Sequence, residues 1–221
     1  MKKLSVILIV AGGLVCCSIG KADITGVYFA DDGDGVVSCP VYVWGQTPEG
    51  DTDATPSSDV IVSVDGTQNY LEPGHVVGNI YTDTTGDPSL TLDSAIDNET
   101  GSAWTAFDVN VYMDNTFSLS TTGVTVPAGW TVTSIQSNAV PVVGNEHGTY
   151  EASMVFTGGT PVAISGELDF AYTINGFSGN TLYSFTQEMI PVPEPGTFGF
   201  LAAGALLLGG FLAAGRRKSH S

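Results

Sequence analysis

Apolar and polar residues alternate along much of the chain, and this pattern predicts strands. Four segments carry apolar side chains at every second position: Val60–Val64, Phe107–Met113, Tyr150–Phe156 and Leu168–Ile174. A period of two puts these side chains on one face of a half-buried strand. Between Asp23 and Ile190 the sequence sustains no 3.6-residue apolar period of the kind that marks a helix. We therefore predict an all-β domain.

Turn-forming residues separate these apolar segments. They include Asp65–Gly66, Gly86–Asp87–Pro88, Gly158–Gly159 and Asn175–Gly176. Asn-Gly between two apolar segments indicates a type I′ hairpin at Asn175–Gly176, followed by a last strand at about Thr181–Met189. About ten short strands with this spacing predict an antiparallel β-sandwich, Ig-like or jelly-roll-like, while a small barrel stays open as an alternative.

The first 22 residues have the three parts of a secretory signal peptide. Lys2 and Lys3 form a positive start, Leu4–Val15 is apolar, and Gly20–Lys21–Ala22 has small residues at the −3 and −1 positions of a cleavage site. This order is typical of a removable export signal. We predict a signal peptide over 1–22 and an exported chain that begins at Asp23.

The C-terminal end also has three parts in a fixed order. The motif Val192, Pro193, Glu194 and Pro195 comes first, the apolar run 196–215 second, and the basic residues Arg216, Arg217 and Lys218 last. An apolar helix of about 20 residues spans a bilayer, and a basic stop keeps its end in the cytoplasm. We predict an extracytoplasmic domain over 23–190 and a tail over 191–221, with a transmembrane helix at 196–215.

This tail resembles the PEP-CTERM sorting signal, and the resemblance is confined to residues 191–221. It implies that a membrane enzyme, exosortase, recognises and processes the tail. It also implies a Gram-negative bacterium that makes exopolysaccharide or biofilm, with the protein held at the membrane and then placed at the cell surface or in the extracellular matrix. A plain C-terminal membrane anchor behind a proline-rich linker is the alternative.

Charge is distributed unevenly along the chain. The six basic residues all lie near the ends, at Lys2, Lys3, Lys21, Arg216, Arg217 and Lys218, whereas all 23 acidic residues lie between them. A domain without lysine or arginine has nothing to neutralise phosphates, so nucleic acid is excluded as a partner. Repulsion among the carboxylates predicts that salt or bound cations stabilise the domain.

One acidic loop is the candidate metal site. Asp31, Asp32 and Asp34 are interleaved with Gly33 and Gly35. Carboxylates spaced in this way, with glycines that allow a tight turn, suit the oxygen coordination that calcium prefers. The rest of an EF-hand loop is missing, and Asp-Gly is also common in hairpins. Calcium is the one cofactor that the sequence suggests.

The sequence offers little for catalysis. It contains neither H-E-x-x-H nor G-x-S-x-G, the motifs of zinc proteases and of hydrolase nucleophiles. We predict that His75 and His147 are solvated loop residues and that the protein is not an enzyme. Cys39 is the only cysteine after signal removal and is predicted to be a buried thiol, with an intermolecular disulfide as the alternative.

These features predict a non-catalytic exported surface or extracellular-matrix protein, associated with biofilm or exopolysaccharide and sorted by an exosortase-type system. The alternative is a carbohydrate-binding module, assisted by calcium, that stacks sugars on exposed aromatic residues, with Trp44, Trp104, Trp130 and several tyrosines as candidates. Tryptophan in a sandwich is more often a core residue. A secreted glycoside hydrolase with two facing carboxylates is a third candidate.

Trypsin provides a direct check on the exported form. Because no lysine or arginine lies between Lys21 and Arg216, we expect complete digestion of the denatured protein to leave the domain as one large fragment. Mass spectrometry of the digest measures this. Tryptic peptides internal to that fragment would contradict the expectation.

Overall fold

A computed structural model of the chain describes residues 23–83, 86–120 and 129–195. Strands hold 63% of these residues, which confirms the all-β prediction. No helix within the described ranges has the length and apolar character needed to cross a membrane. The predicted signal peptide at 1–22 and the predicted transmembrane helix at 196–215 lie outside the described residues.

The described residues form strands of very different lengths. In chain order they are β1 (Ile24–Asp31), β2 (Val37–Ser38), β3 (Tyr42–Thr47), β4 (Gly50–Asp51), β5 (Asp59–Ser63), β6 (Gly66–Gln68), β7 (Gly74–Thr82), β8 (Ser89–Asn98), β9 (Trp104–Met113), β10 (Ser118–Ser120), β11 (Thr131–Pro141), β12 (Tyr150–Val162), β13 (Glu167–Asn175) and β14 (Leu182–Pro193).

All fourteen strands belong to one curled sheet. Its long arm has the order β4-β3-β1-β7-β14-β9-β12-β11, and its short arm has the order β10-β13-β8-β6-β2, with β5 also paired to β8. Among the described residues, the register pair of Ser118 with Asn138 joins the two arms, and an isolated bridge between Ile24 and Ser57 links β1 to the segment before β5. Most neighbouring strands are antiparallel, as predicted, but β5 and β6 each run parallel to β8. The Ig-like or jelly-roll-like type of sandwich stays a prediction.

The hydrophobic core lies between the two arms. Phe170 of the short arm has its ring centroid 5.7 Å from that of Phe107 and 5.3 Å from that of Phe156, both on the long arm. Trp104 packs on the same group, 5.3 Å from Phe107. The alternation along β9 and β13 is confirmed by burial of their inward side chains: Phe107, Val109, Val111, Met113, Leu168, Phe170, Tyr172 and Ile174.

The predicted hairpin at Asn175–Gly176 is wrong. β13 pairs with β8 and β10, whereas β14 pairs with β7 and β9, so the chain crosses from the short arm to the long arm at this point. Phe177 enters the core here, and Asp87 Oδ1 accepts hydrogen bonds from the amides of Gly176 and Phe177. Because Phe177 is buried, the chain crosses the core here and does not form a tight hairpin.

The last strand is longer than predicted. β14 continues past residue 190 to Pro193, and its final residues pair with β9, Val192 beside Ala106 and Pro193 beside Trp104. The amide of Glu194 then donates a hydrogen bond to the carbonyl of Ala103 at 2.9 Å. The first half of the sorting-like motif therefore belongs to the sheet.

Phe170→Ala tests how strongly the two arms depend on their shared aromatic core. We expect the free energy of unfolding to fall by about 3–5 kcal/mol, because the change opens a cavity between the arms. Urea unfolding followed by tryptophan fluorescence measures the loss. Ile61→Ala is the matched control, since Ile61 is 72% exposed and should change stability by only about 0.5 kcal/mol or less. Equal effects of the two changes would contradict the proposed core.

Candidate metal centre

A row of polar side chains crosses the long arm on the face opposite the core. The register pairs His75 of β7 with Glu188 of β14, and Glu188 with Asn110 of β9. Their chain neighbours Met189 and Val109 are buried in the core. Because successive side chains of a strand point to opposite faces, burial of these apolar neighbours sets the polar row on the outer face.

The loop after β1 approaches one end of this row. β1 ends at Asp31, which pairs with Val76 on β7, so the next residue along the chain reaches the level of His75. Asp32 Oδ2 lies 3.0 Å from His75 Nδ1. The antiparallel pairing of β1 with β7 therefore sets the separation between the acidic loop and the histidine.

Glycines let the acidic loop turn within four residues. Gly33 and Gly35 have φ angles of 82° and 81°, in the left-handed region that favours glycine. Asp32 Oδ1 accepts the amide of Asp34 at 3.1 Å, and Asp34 Oδ1 accepts the amide of Val36 at 2.7 Å. Each aspartate thus uses one oxygen to hold the turn.

Asp32, Asp34 and His75 form a cluster with metal-ligand chemistry. One possible ligand atom from each residue lies within 4.8 Å of those of the other two. Of the three aspartates suggested by sequence, two are here and the third is not, because Asp31 Oδ2 accepts the amide of Cys39 at 3.1 Å. Calcium at this loop stays a prediction.

The sequence pattern does not identify His75 as a site residue. It lies on a strand with a side chain only 12% exposed, so its prediction as a solvated loop residue is wrong. His147 does lie in a loop, but it is half-buried and stacks on His75, with ring centroids 4.4 Å apart. A period-two reading of Val76 and Ile80 as inward residues would have put His75 on a strand. The sequence gives no sign that the loop of His147 covers His75.

The loop that carries His147 packs closely on β9. The amide of Thr149 donates to the carbonyl of Met113 at 3.0 Å, and the amide of His147 donates to Asn145 Oδ1 at 2.7 Å. A Cβ atom added at Gly148 would lie 2.9 Å from the backbone nitrogen and oxygen of Met113. Glycine at this position therefore allows the close approach that brings the His147 ring over the site.

Glu188 is held from two sides. Its Oε2 accepts a hydrogen bond from Asn110 Nδ2 at 2.6 Å and from the Tyr112 hydroxyl at 3.2 Å. Its Oε1 faces His75 Nε2 at 3.5 Å. Burial, followed by the negative charges of Glu188 and Glu151, raises the pKa of Tyr112 well above the usual range. Tyr112 therefore keeps its proton and remains a donor to the carboxylate.

The tryptophans predicted to stack sugars are mostly unavailable. Trp104 and Trp130 are buried, and Trp44 is half-buried on β3. The indole nitrogen of Trp104 donates to Thr100 Oγ1, and that of Trp130 donates to the carbonyl of Thr160. These satisfied polar ends are typical of core tryptophans.

A second acidic feature lies on the short arm. Asp97 and Glu167 face each other across β8 and β13 and line an open cleft of about 260 Å³ together with Asp65. The charge of Asp169 is the main cause that raises the pKa of Glu167, with smaller contributions from desolvation and from Asp97. Glu167 is exposed, so this pair lacks the enclosed environment in which a catalytic acid is usually tuned.

Comparison of the chain with protein-family models, curated proteins and solved structures finds no match. The interpretation of the site therefore rests on its own geometry and chemistry.

The contact between Asp31 and Cys39 gives a testable reactivity. Burial, and then the charge of Asp31, raises the pKa of the Cys39 thiol from 9.0 to about 11. Because only the thiolate reacts, we expect alkylation by iodoacetamide at pH 8 to be about 100-fold slower in the folded protein than in urea. Mass spectrometry over time measures both rates. Asp31→Asn should accelerate the folded-state reaction, and equal rates in the folded and unfolded protein would contradict the shift.

Proposed function

We propose that this chain is a non-catalytic protein of the cell surface or extracellular matrix, exported and then sorted by an exosortase-type system. The observation that carries the proposal is the order of its parts. A purely anionic β-domain stands between a signal-like start and a PEP-CTERM-like tail, and its last strand continues without a spacer into the tail motif.

The join between domain and tail supports a role close to the membrane. Val192 and Pro193 are paired to β9, and the Glu194 amide is hydrogen-bonded to Ala103. With the transmembrane helix at 196–215 that the sequence predicts, this pairing supports a domain held directly above the bilayer while the tail is intact, with the processing enzyme beside the folded sheet. Release or transfer then presents the whole domain outside the cell.

The charge of the domain supports a place in a matrix. Residues 23–195 contain all 23 acidic side chains and neither lysine nor arginine. The cross-strand pair of Asp97 with Glu167 has like charges directly opposite each other, an arrangement that destabilises a sheet unless cations screen it. At low salt, such a surface repels other copies of the domain and anionic polymers. Divalent cations reduce this repulsion and allow close contact.

Loss of the exosortase gene tests the sorting route. In an exosortase-bearing Gram-negative host, we expect the tagged full-length chain to be processed and to reach the surface or the medium. In the deletion strain it should accumulate, unprocessed, in the membrane fraction. Immunoblots of cell fractions measure both forms. Identical fractions and sizes in the two strains would leave a plain membrane anchor as the correct interpretation.

A substitution in the motif refines the same test. Glu194→Ala should reduce processing, because this residue is the charged centre of the motif, whereas Glu72→Ala should have no effect. Both side chains are exposed, so neither change is expected to unfold the domain. Equal processing of the two variants would mean that the processing enzyme does not recognise Glu194 of the motif.

A further inference from the structure

We infer that Asp32, Asp34 and His75 bind a divalent transition-metal ion of the zinc class, with Glu188 as the positioning residue for the histidine. This inference is independent of the proposed function. It rests on the separation of the ligand atoms, on the two partners of the imidazole, and on the way Glu188 is held.

The separation of the ligand atoms suits a small cation. Zinc bonds to nitrogen and oxygen are about 2.0–2.1 Å long, so two ligands of a tetrahedral ion lie about 3.3 Å apart. His75 Nδ1 and Asp32 Oδ2 are 3.0 Å apart, and the Asp34 ligand atom completes a set within 4.8 Å. Because 4.8 Å exceeds the spacing of two zinc ligands, coordination of the same ion requires the exposed Asp34 side chain to move closer.

The two nitrogen atoms of the His75 imidazole have different surroundings. His75 Nε2 is buried without a hydrogen-bond partner of good geometry, and the charged group facing it is Glu188, with Oε1 at 3.5 Å. Nδ1 faces a second carboxylate, with Asp32 Oδ2 at 3.0 Å. With the proton on Nδ1, the ring donates to Asp32, and Nε2 is left as an acceptor that faces the acceptor Glu188. With the proton on Nε2, the ring faces Glu188 with its N–H, and a divalent cation between Nδ1 and Asp32 satisfies both of these ligand atoms.

The support behind Glu188 favours the metal ion. In metal sites, the ligating histidine usually donates its second N–H to a carboxylate, which fixes the tautomer and is itself hydrogen-bonded. Here Asn110 and Tyr112 both donate to Glu188 Oε2, which orients Oε1 toward the ring. In space, the acidic loop lies on one side of His75 and the anchored carboxylate of Glu188 on the other. This is the arrangement of a metal–histidine–carboxylate unit.

The donor set indicates which metal is bound. Calcium prefers oxygen ligands, whereas imidazole suits zinc, copper, nickel and iron. One imidazole and two carboxylates leave a coordination position for water or for a group from outside the chain. His147 stacks on His75 with the two ring planes inclined by 26°, so we assign it a covering role. The formal net charge of −17 adds a general attraction for a divalent ion.

Metal binding by the full-length chain, purified in detergent without a histidine tag, is the test. We expect one zinc ion per chain, a higher melting temperature with zinc, and visible d–d absorption when cobalt replaces zinc. His75→Gln and Asp32→Asn should each weaken zinc binding at least about 10-fold, and Glu188→Gln by about 10- to 100-fold. Competition with a zinc indicator measures the affinities, and near-ultraviolet circular dichroism verifies that each variant is folded.

Two control variants match the site variants in chemistry. Asp53→Asn removes an exposed carboxylate of another loop, and His220→Gln removes the histidine of the tail. Both should bind zinc as the wild type does.

Three results would overturn the inference. The first is an absence of saturable zinc binding to the folded wild type, which would leave an ordinary hydrogen bond from Nδ1 to Asp32 as the correct interpretation of the contact. The second is unchanged zinc affinity in His75→Gln. The third is stabilisation by calcium that equals that by zinc and persists in His75→Gln, which would assign the loop to calcium through its carboxylates alone.

Discussion

Burial of apolar side chains between the two arms of the sheet is the interaction on which the other features depend. Residues 23–195 have no lysine or arginine to pair with their carboxylates, so ion pairs to these cations contribute nothing to stability, and repulsion opposes compaction. Apolar contacts such as those of Phe170 with Phe107 and Phe156 supply the stabilisation that offsets this repulsion. Each strand that buries one face in this core must present its other face outward, and the polar row of the long arm is a direct result.

The candidate metal centre thus inherits its rigidity from the sheet. His75 and Glu188 lie opposite each other on paired strands, and their backbone positions are fixed by the same ladder that supports the core. Only Asp32, Asp34 and the loop of His147 come from outside the strands. Sites built on strands hold their geometry better than sites built on loops alone, so the least fixed ligand is Asp34, beyond the end of β1.

Local pattern predicted the strands but not their partners. The alternation in Phe107–Met113 and Leu168–Ile174 was sufficient to identify two core strands, because a period of two reports only which side chains face inward. The hairpin prediction at Asn175–Gly176 fails for the same reason. A turn signal describes only the local backbone, whereas Phe177 is buried in the core and the chain continues to the other arm. Asp32 and Asp34 were visible as a cluster of like residues. His75 was not, since 40 or more positions of chain separate it from the loops that it meets.

The join between β14 and the tail has a mechanical consequence. β14 lies inside the long arm with β7 on one side and β9 on the other, and its C-terminal end is where the tail begins. A pull on that end, as in a domain tethered to a surface in flowing liquid, acts along the strand and loads many hydrogen bonds of both ladders together. Strands loaded in shear resist such a force better than strands that open one bond at a time. If the domain is held by its tail, as proposed, the load therefore enters the sheet through a strand that is paired on both sides.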